Sequence, residues 1–326
     1  MSGSKSKVIL RGVTRETLNR AVRECMEFCE WQRWVPRDGT VVLKPNLCTA
    51  VPELIEASNT ALAVTAAVCE VLIERTKRVS IVEADHMRQK TEDVFEATGY
   101  RELERKYGVA LVNLSKTPSV NYRCEPVGEI PLPRMLVECD AFISIPVLKT
   151  HALTYFTGVL KNQWGCVPGY LDRIQHHGAI HELLSTLHRI LQPRFAIMDG
   201  IVGMEGRGPV AGKARQLDVI LASQDGVALD ATCMRLVGLE PTLSKHIVIA
   251  AQQRLGRVRS EEIEVDGDWR KHATQFEPAP RDRLNTLMFK FCRYRWFTEH
   301  ILGNDAVYYP VRALVKLLRR VGVVSG

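Results

Sequence analysis

The 326-residue sequence has no apolar run near the ~20 residues a membrane-spanning helix requires. Its polar start, MSGSKSK, lacks the apolar region of a signal peptide. A cytoplasmic location is the expectation from both absences. Close cysteine pairs of the CxxC kind are also missing; the nine cysteines stand singly at 25, 29, 48, 69, 124, 139, 166, 233 and 292. An odd, scattered set argues against a disulfide framework. Cys48 and Cys166 each lie inside a motif, so an iron–sulfur or mononuclear iron site assembled from distant residues stays open. The chain carries neither a Walker loop nor a GxGxxG turn, and so offers no nucleotide fingerprint. It has no internal repeat and no low-complexity tract, and no recognised nucleic-acid motif accompanies its +7 charge.

What is present is globular. Hydrophobic residues make up 46% and charged residues 25%, and the length suffices for one large domain or two ordinary ones. Short apolar runs at 40–46, 78–85, 109–115, 141–147, 194–200 and 217–223 read as strands. Longer amphipathic stretches at 59–76, 180–191 and 226–239 read as helices, as does one ending near Gly99. This alternation predicts an α/β fold, a mostly parallel sheet built from βαβ units with a helical C-terminal extension. The expected division is an α/β domain over 1–265, with two lobes meeting near 150 as an option, a linker over 265–283, and a basic amphipathic tail over 284–326. From Arg281 onward nine Lys and Arg residues stand against three Asp and Glu. Such a tail is either a solvated face or a contact for a membrane surface or acidic partner.

Ligands in parallel sheets bind beyond the carboxyl ends of the strands, and chemistry-bearing residues gather at those ends here. VVLKPNLC places Lys44 and Asn46 where a proline turns the chain out of the sheet. Lysine there would clamp an anion, or would simply be solvated. SIVEADHMRQKTED sets Asp85 beside His86, which reads either as a helix cap or as an acid–base pair. IPVLKTHALTYFTGVLKNQWG adds Lys149, His151, Lys161 and Asn162. Its glycines, Gly158 and Gly165, imply close backbone approach to a bound group. His177 and His181 are four apart on a candidate helix, a metal-ligand spacing that also occurs on plain helix surfaces. MDGIVGMEGRGPVAG reads as a tight structural turn or as a glycine-rich loop whose amides, those of Gly206 and Gly208 included, would face an anion, with Asp199 and Glu205 as base, support for a histidine, or metal ligand.

Taken in order, LKPNL, PVLKTH, TGVLKNQWG, a downstream histidine, MDGIVGMEGRGPVAG and ASQDGVALDA resemble the domain-of-unknown-function 362 family, from about Val41 to Leu239. A fainter resemblance is to the lactate racemase family, which uses a nickel pincer nucleotide. His151, Lys161, Pro168-Gly169 and His177 are similar to its pattern of histidine, lysine, Pro-Gly and histidine. That resemblance implies His86 and His151 as acid–base residues, Lys161 as the cofactor attachment and His177 as a metal ligand. The chain departs from it where TGVLKN replaces a Gly-Gly before the lysine and LKPNL replaces the substrate loop.

The expectation is therefore an enzyme moving a proton or hydride on a small carboxylate-bearing substrate, racemase- or epimerase-like and metal-assisted. Its catalytic residues would be His86, His151 and Lys161, and its metal ligands His177 and His181. Lys149, Lys161, Asn162, Gly206 and Gly208 would hold a cofactor; Lys44, Asn46, Asp199 and Glu205 would hold the substrate. The alternatives are an iron or iron–sulfur oxidoreductase and a non-catalytic anion-binding protein with a membrane-surface tail.

Overall fold

The computed structural model describes residues 4–86, 89–280 and 291–320, without the side chains of Cys124, Val315, Lys316, Leu318, Arg319 and Arg320. One sheet organises the chain. In spatial order it runs β12 (Ile263–Asp266), β1 (Ser6–Gly12), β11 (Lys213–Ser223), β10 (Phe195–Glu205), β7 (Ala141–Ile145), β2 (Val41–Pro45), β3 (Val79–Glu83) and β4 (Ala110–Asn113). Two further strands leave this path: β8 (Val147–His151) pairs with β10, and β9 (Tyr155–Thr157) with β8. A separate hairpin is formed by β5 (Ser119–Cys124) and β6 (Gly128–Pro133). Pairing is parallel across β4, β3, β2, β7 and β10, and also between β1 and β12.

Every residue of β2 and β7 is buried. This is the continuous apolar pattern of strands covered on both faces. One core lies under helices Leu18–Phe28 and Leu62–Leu72; the other face carries two cores, beneath helices Gly226–Leu236 and Ile180–Leu191. Among the described residues no single helix is long and apolar enough to cross a membrane.

Three expectations change. The helix expected over 59–76 begins only at Leu62, because Asn59 and Thr60 are engaged by the loop after β2. Asn59 Oδ1 accepts from Cys48 N at 2.7 Å, and Thr60 Oγ1 from Asn46 N at 2.8 Å. The stretch 198–212 is not one glycine-rich loop: β10 continues to Glu205 and returns as the antiparallel β11. Small residues permit this, since a Cβ at Gly203 would lie 3.0 Å from the Leu148 carbonyl of the neighbouring β8. The 265–283 stretch, as far as residue 280, packs on the body rather than hanging free. Phe276 is buried, and Thr274 and Phe276 donate to the carbonyls of Leu236 and Val237. Residues 281–283 of that stretch, and residues 284–290 and 321–326 of the tail, lie outside the described residues. Around residue 150, β8 lies parallel to β10, with an irregularity in register between Asp199 and Met204.

Candidate active site

At the carboxyl ends of β2, β3 and β8 lies a cavity of about 510 Å³, within the usual range for ligand sites. Its wall includes Asn46, Cys48, His86, Lys149, His151, Lys161, Arg173 and His177. Trp164, Tyr170, Ile174 and Ile180 add apolar surface, and Cys292, Leu302 and Tyr308 close it from the C-terminal extension. Three lysine or arginine side chains and three histidines line this cavity, and no described Asp or Glu does.

Each basic group is placed by a specific local device. Lys149 and His151 are two apart on β8 and so share a face. The Lys149 ammonium is fully coordinated, donating to Ser58 O at 2.6 Å, Asn46 Oδ1 at 2.7 Å and Cys48 Sγ at 3.2 Å. Burial lowers its pKa. Lys161 follows Gly158 in the short helix Val159–Asn162. The buried Asp230 carboxylate holds the start of that helix, accepting from Val159 N at 2.7 Å and Leu160 N at 3.1 Å. The Lys161 ammonium sits 5.4 Å from the centre of the Trp164 ring. Burial, then the nearby Lys149 and Arg173 charges, depress its pKa to about 7.

Arg173, on helix Tyr170–Gln175, is only 1% exposed. Its Nη2 donates to the Asp85 carbonyl, while its Nη1 is buried with no hydrogen-bond partner. A buried guanidinium nitrogen without an acceptor is costly, and Arg173 lines a cavity with no Asp or Glu among its described residues. Arg173 was not singled out in the sequence because an isolated arginine in a short helix carries no pattern. Only its burial distinguishes it.

The histidines are fixed in different tautomers. His151 Nδ1 accepts from Leu153 N at 3.1 Å and Thr154 N at 3.3 Å, so the ring proton resides on Nε2. His177 Nδ1 lies 3.0 Å from the Ile174 carbonyl, which can only accept. Its Nδ1 therefore carries the proton and Nε2 the lone pair. His177 also meets the Trp164 ring edge-on at 5.0 Å. Burial lowers the His177 pKa to about 4 and the His151 pKa well below its ordinary value, with Lys161 adding to both. His86 is held neutral in the same way, by burial and by Arg173, and its Nε2 is buried without a partner. Asp85 does not raise its basicity, because that carboxylate accepts from Thr91 N at 2.9 Å and Asn113 Nδ2 at 2.9 Å.

Of the residues singled out in the sequence, the fold brings together Asn46, His86, Lys149, His151, Lys161, His177 and Cys48. The others lie outside the cavity wall. Lys44 is 1% exposed and ion-paired with Glu83 at 2.6 Å, so it supports the floor rather than clamping a ligand. Asn162 Nδ2 bonds the Lys44 carbonyl at 2.8 Å and Ser144 Oγ at 3.0 Å. Asp199 accepts from Ala61 N at 2.7 Å and Ile201 N at 3.0 Å, and burial raises its pKa to about 6. Glu205 pairs with Arg215 at 3.2 Å and accepts from Glu277 N at 3.1 Å. The Gly206 and Gly208 amides are consumed within the protein, by Glu277 O at 2.7 Å and Gly206 O at 2.8 Å. They are not free to cradle an anion.

The glycines around Lys161 also have a different meaning from the one expected. A Cβ at Gly158 would lie 2.1 Å from Asp230 Oδ1, and one at Gly165 2.5 Å from Glu83 Oε1. They clear room for buried carboxylates, not for a bound group.

His177 and His181 do not form the expected pair. His177 belongs to the 3₁₀ turn His176–Ala179, ahead of the regular helix Ile180–Leu191. His181 instead stacks on His246, ring centres 5.9 Å apart. Among the described residues no group of three or more His, Cys, Asp or Glu side chains could hold a metal ion. Cys166 is buried outside the cavity wall with its pKa pushed up to about 12. An iron–sulfur cluster held through Cys48 and Cys166 does not fit this arrangement.

Known proteins resemble this chain at two levels. The family described as "Domain of unknown function (DUF362)" matches residues 41–235, the span holding every cavity residue except Cys292, Leu302 and Tyr308. The thylakoid-associated protein sll1697 of Synechocystis is 33% identical over 135 residues, covering 40% of this chain and 41% of that protein. The match therefore spans about two fifths of that relative's length. Among solved structures, the lactate racemase apoprotein of Thermoanaerobacterium thermosaccharolyticum is similar with a TM-score of 0.50 at 11% identity. That likeness covers 73% of this chain and 58% of the racemase, and it is a likeness of fold.

Proposed function

Since the chain belongs to the domain-of-unknown-function 362 family, whose description specifies no reaction, we propose from the cavity itself that it is an enzyme of racemase or epimerase type. Its substrate bears a carboxylate or a chemically similar anion. One observation carries this reading: Arg173 Nη1 is buried without an acceptor, in a cavity lined by lysines and histidines and by no described carboxylate. An anionic group between Arg173 and Lys161 satisfies both charges, in a site where burial strengthens charge-assisted hydrogen bonds.

The remaining groups then take distinct roles. His151, neutral with its proton on Nε2, donates a hydrogen bond to a substrate carbonyl or hydroxyl instead of shuttling protons. Lys161, with a pKa of about 7 in the empty cavity, is protonated beside the anion and gives up and regains that proton as the general acid, since a group titrating near the working pH is most effective. His177, with its ring proton on Nδ1, takes the opposite part and accepts the proton at Nε2.

The donor set does not suit a metal ion held by protein alone. It does suit a group that brings most of its own ligands, such as the nickel pincer nucleotide that the racemase resemblance implies. In place of those proton-transfer roles, His177 Nε2 and Lys161 Nζ would then hold it, with the Ile174 carbonyl fixing the histidine as outer-shell partners of metal ligands do. When bound, that group would supply a hydride acceptor.

Calorimetric titration with short-chain carboxylates and inorganic phosphate tests the proposal. The expected result is saturable binding that Arg173→Met weakens about 10- to 100-fold, as for a lost charged hydrogen bond. Deuterium incorporation beside the carboxylate in heavy water then identifies the substrate among the binders. Anions that fail to bind, or that bind the variant equally well, overturn the reading.

A further inference from the structure

The last described segment, Phe291–Arg320, has a composition unlike the rest of the chain. Seven of the eleven exposed large hydrophobic side chains described lie between Phe291 and Leu317. Trp296 is 64% exposed, Leu317 56%, Leu314 55% and Tyr309 51%. From Arg281 to the end, nine Lys and Arg against three Asp and Glu carry six of the chain's seven net positive charges. The remaining 280 residues are thus almost neutral.

Helix Asp305–Arg320 sorts these residues by register. At 100° per residue, Val307, Val311, Leu314 and Leu317 fall within a stripe about 120° wide, broad enough for a buried face. Positions 312, 316, 319 and 320, all basic, fall on the opposite side. Nothing described covers Leu314 or Leu317. Upstream, Tyr294 and Trp296 supply the ring side chains that favour the boundary between water and lipid.

We infer that this segment lies in the surface of an anionic lipid bilayer. Its apolar stripe enters the acyl boundary, and its basic side chains reach the headgroups along their flexible stems. Charge decides the occupant. A second copy of the chain would bring an equally basic segment against this one, whereas an anionic bilayer neutralises it. The same segment places Cys292, Leu302 and Tyr308 in the wall of the cavity. The docked protein therefore holds this wall of the cavity close to the membrane.

Co-sedimentation of the full-length protein with vesicles of phosphatidylcholine, with and without phosphatidylglycerol, is the test. The protein is expected to pellet with anionic vesicles, to release at high salt, and to show a blue shift in emission that Trp296→Phe diminishes. Leu314→Glu with Leu317→Glu alters only exposed positions, so the fold is kept, and it should weaken binding at least tenfold. Arg312→Glu should weaken it roughly tenfold. Arg173→Met, deep in the cavity, should bind vesicles as the parent protein does, which separates this inference from the fate of the proposed reaction. Three results overturn it: no binding to anionic vesicles, equal binding to neutral ones, or a double-glutamate variant that binds like the parent. Sedimentation velocity without lipid adds a fourth: a dimer that the double variant dissociates would assign the stripe to a second copy.

Discussion

Lys161 is the group whose protonation the cavity controls most directly. Its pKa of about 7 in the folded chain lies below the ordinary 10.5, because burial and the Lys149 and Arg173 charges oppose a third cation. Between those two values the unfolded chain binds more protons than the folded one. Stability contributed through this group therefore rises with pH across that window. Lys161→Met should stabilise the ligand-free protein, by more near neutral pH than at alkaline pH, in urea titrations at several pH values. An anion in the cavity reverses the cause of the shift. Binding above about pH 7 should take up a proton, so the observed heat should vary with the ionisation enthalpy of the buffer. The uptake should vanish in Lys161→Met. Histidines alone would give no such signal there, since His177, at about 4, and His151, well below its ordinary value, titrate too far below that pH to be drawn back up to it.

At the scale of elements, the short helix Val159–Asn162 depends on a carboxylate from another part of the chain. Asp230 lies on helix Gly226–Leu236 and receives both the Val159 and Leu160 amides. Gly158 is required because any side chain there would meet that carboxylate. Asp230→Ala should cost about 2–4 kcal/mol, as two buried amides lose their acceptor. Gly158→Ala should cost about 1–3 kcal/mol by overpacking. Both should lower turnover by displacing Lys161, and denaturant melts beside rate measurements check both effects. The Asp230 pKa, raised to about 7 by burial, adds a signature with the opposite sign to that of Lys161. The folded state holds the extra proton between 3.8 and about 7, so this contribution to stability falls as pH rises through that range. Asp230→Asn should remove that slope.

Over the whole molecule, stability is unevenly distributed. The sheet strands β2 and β7 are buried along their full length. The C-terminal segment is held by a small cluster in which Ile174, Cys292 and Leu302 are the buried members. Regions with few buried apolar contacts open with low free energy. Amides of 291–320 should therefore exchange with deuterium well before those of β2, β7 and β10. An anion bound in the cavity should slow exchange in 291–308, because Cys292, Leu302 and Tyr308 form part of its wall. Uniform exchange along the chain would contradict this division.

Apolar runs of strand length alternating with amphipathic stretches are sufficient to specify the α/β class. They also place Asn46, His86, Lys149 and His151 at strand ends, because a strand that leaves a parallel sheet exposes its last residues on the ligand side. The cationic and amphipathic character of the last 46 residues is likewise written in their order. Tertiary structure alone decided which polar residues face the cavity. Lys44, Asp199 and Glu205 carry the same chemistry as the cavity residues, but each found a partner inside the protein from a strand or loop distant in sequence. Arg173 found an acceptor for Nη2 but none for Nη1. No local pattern encodes that difference, because a side chain's unmet hydrogen bonds depend on what the rest of the chain brings beside it.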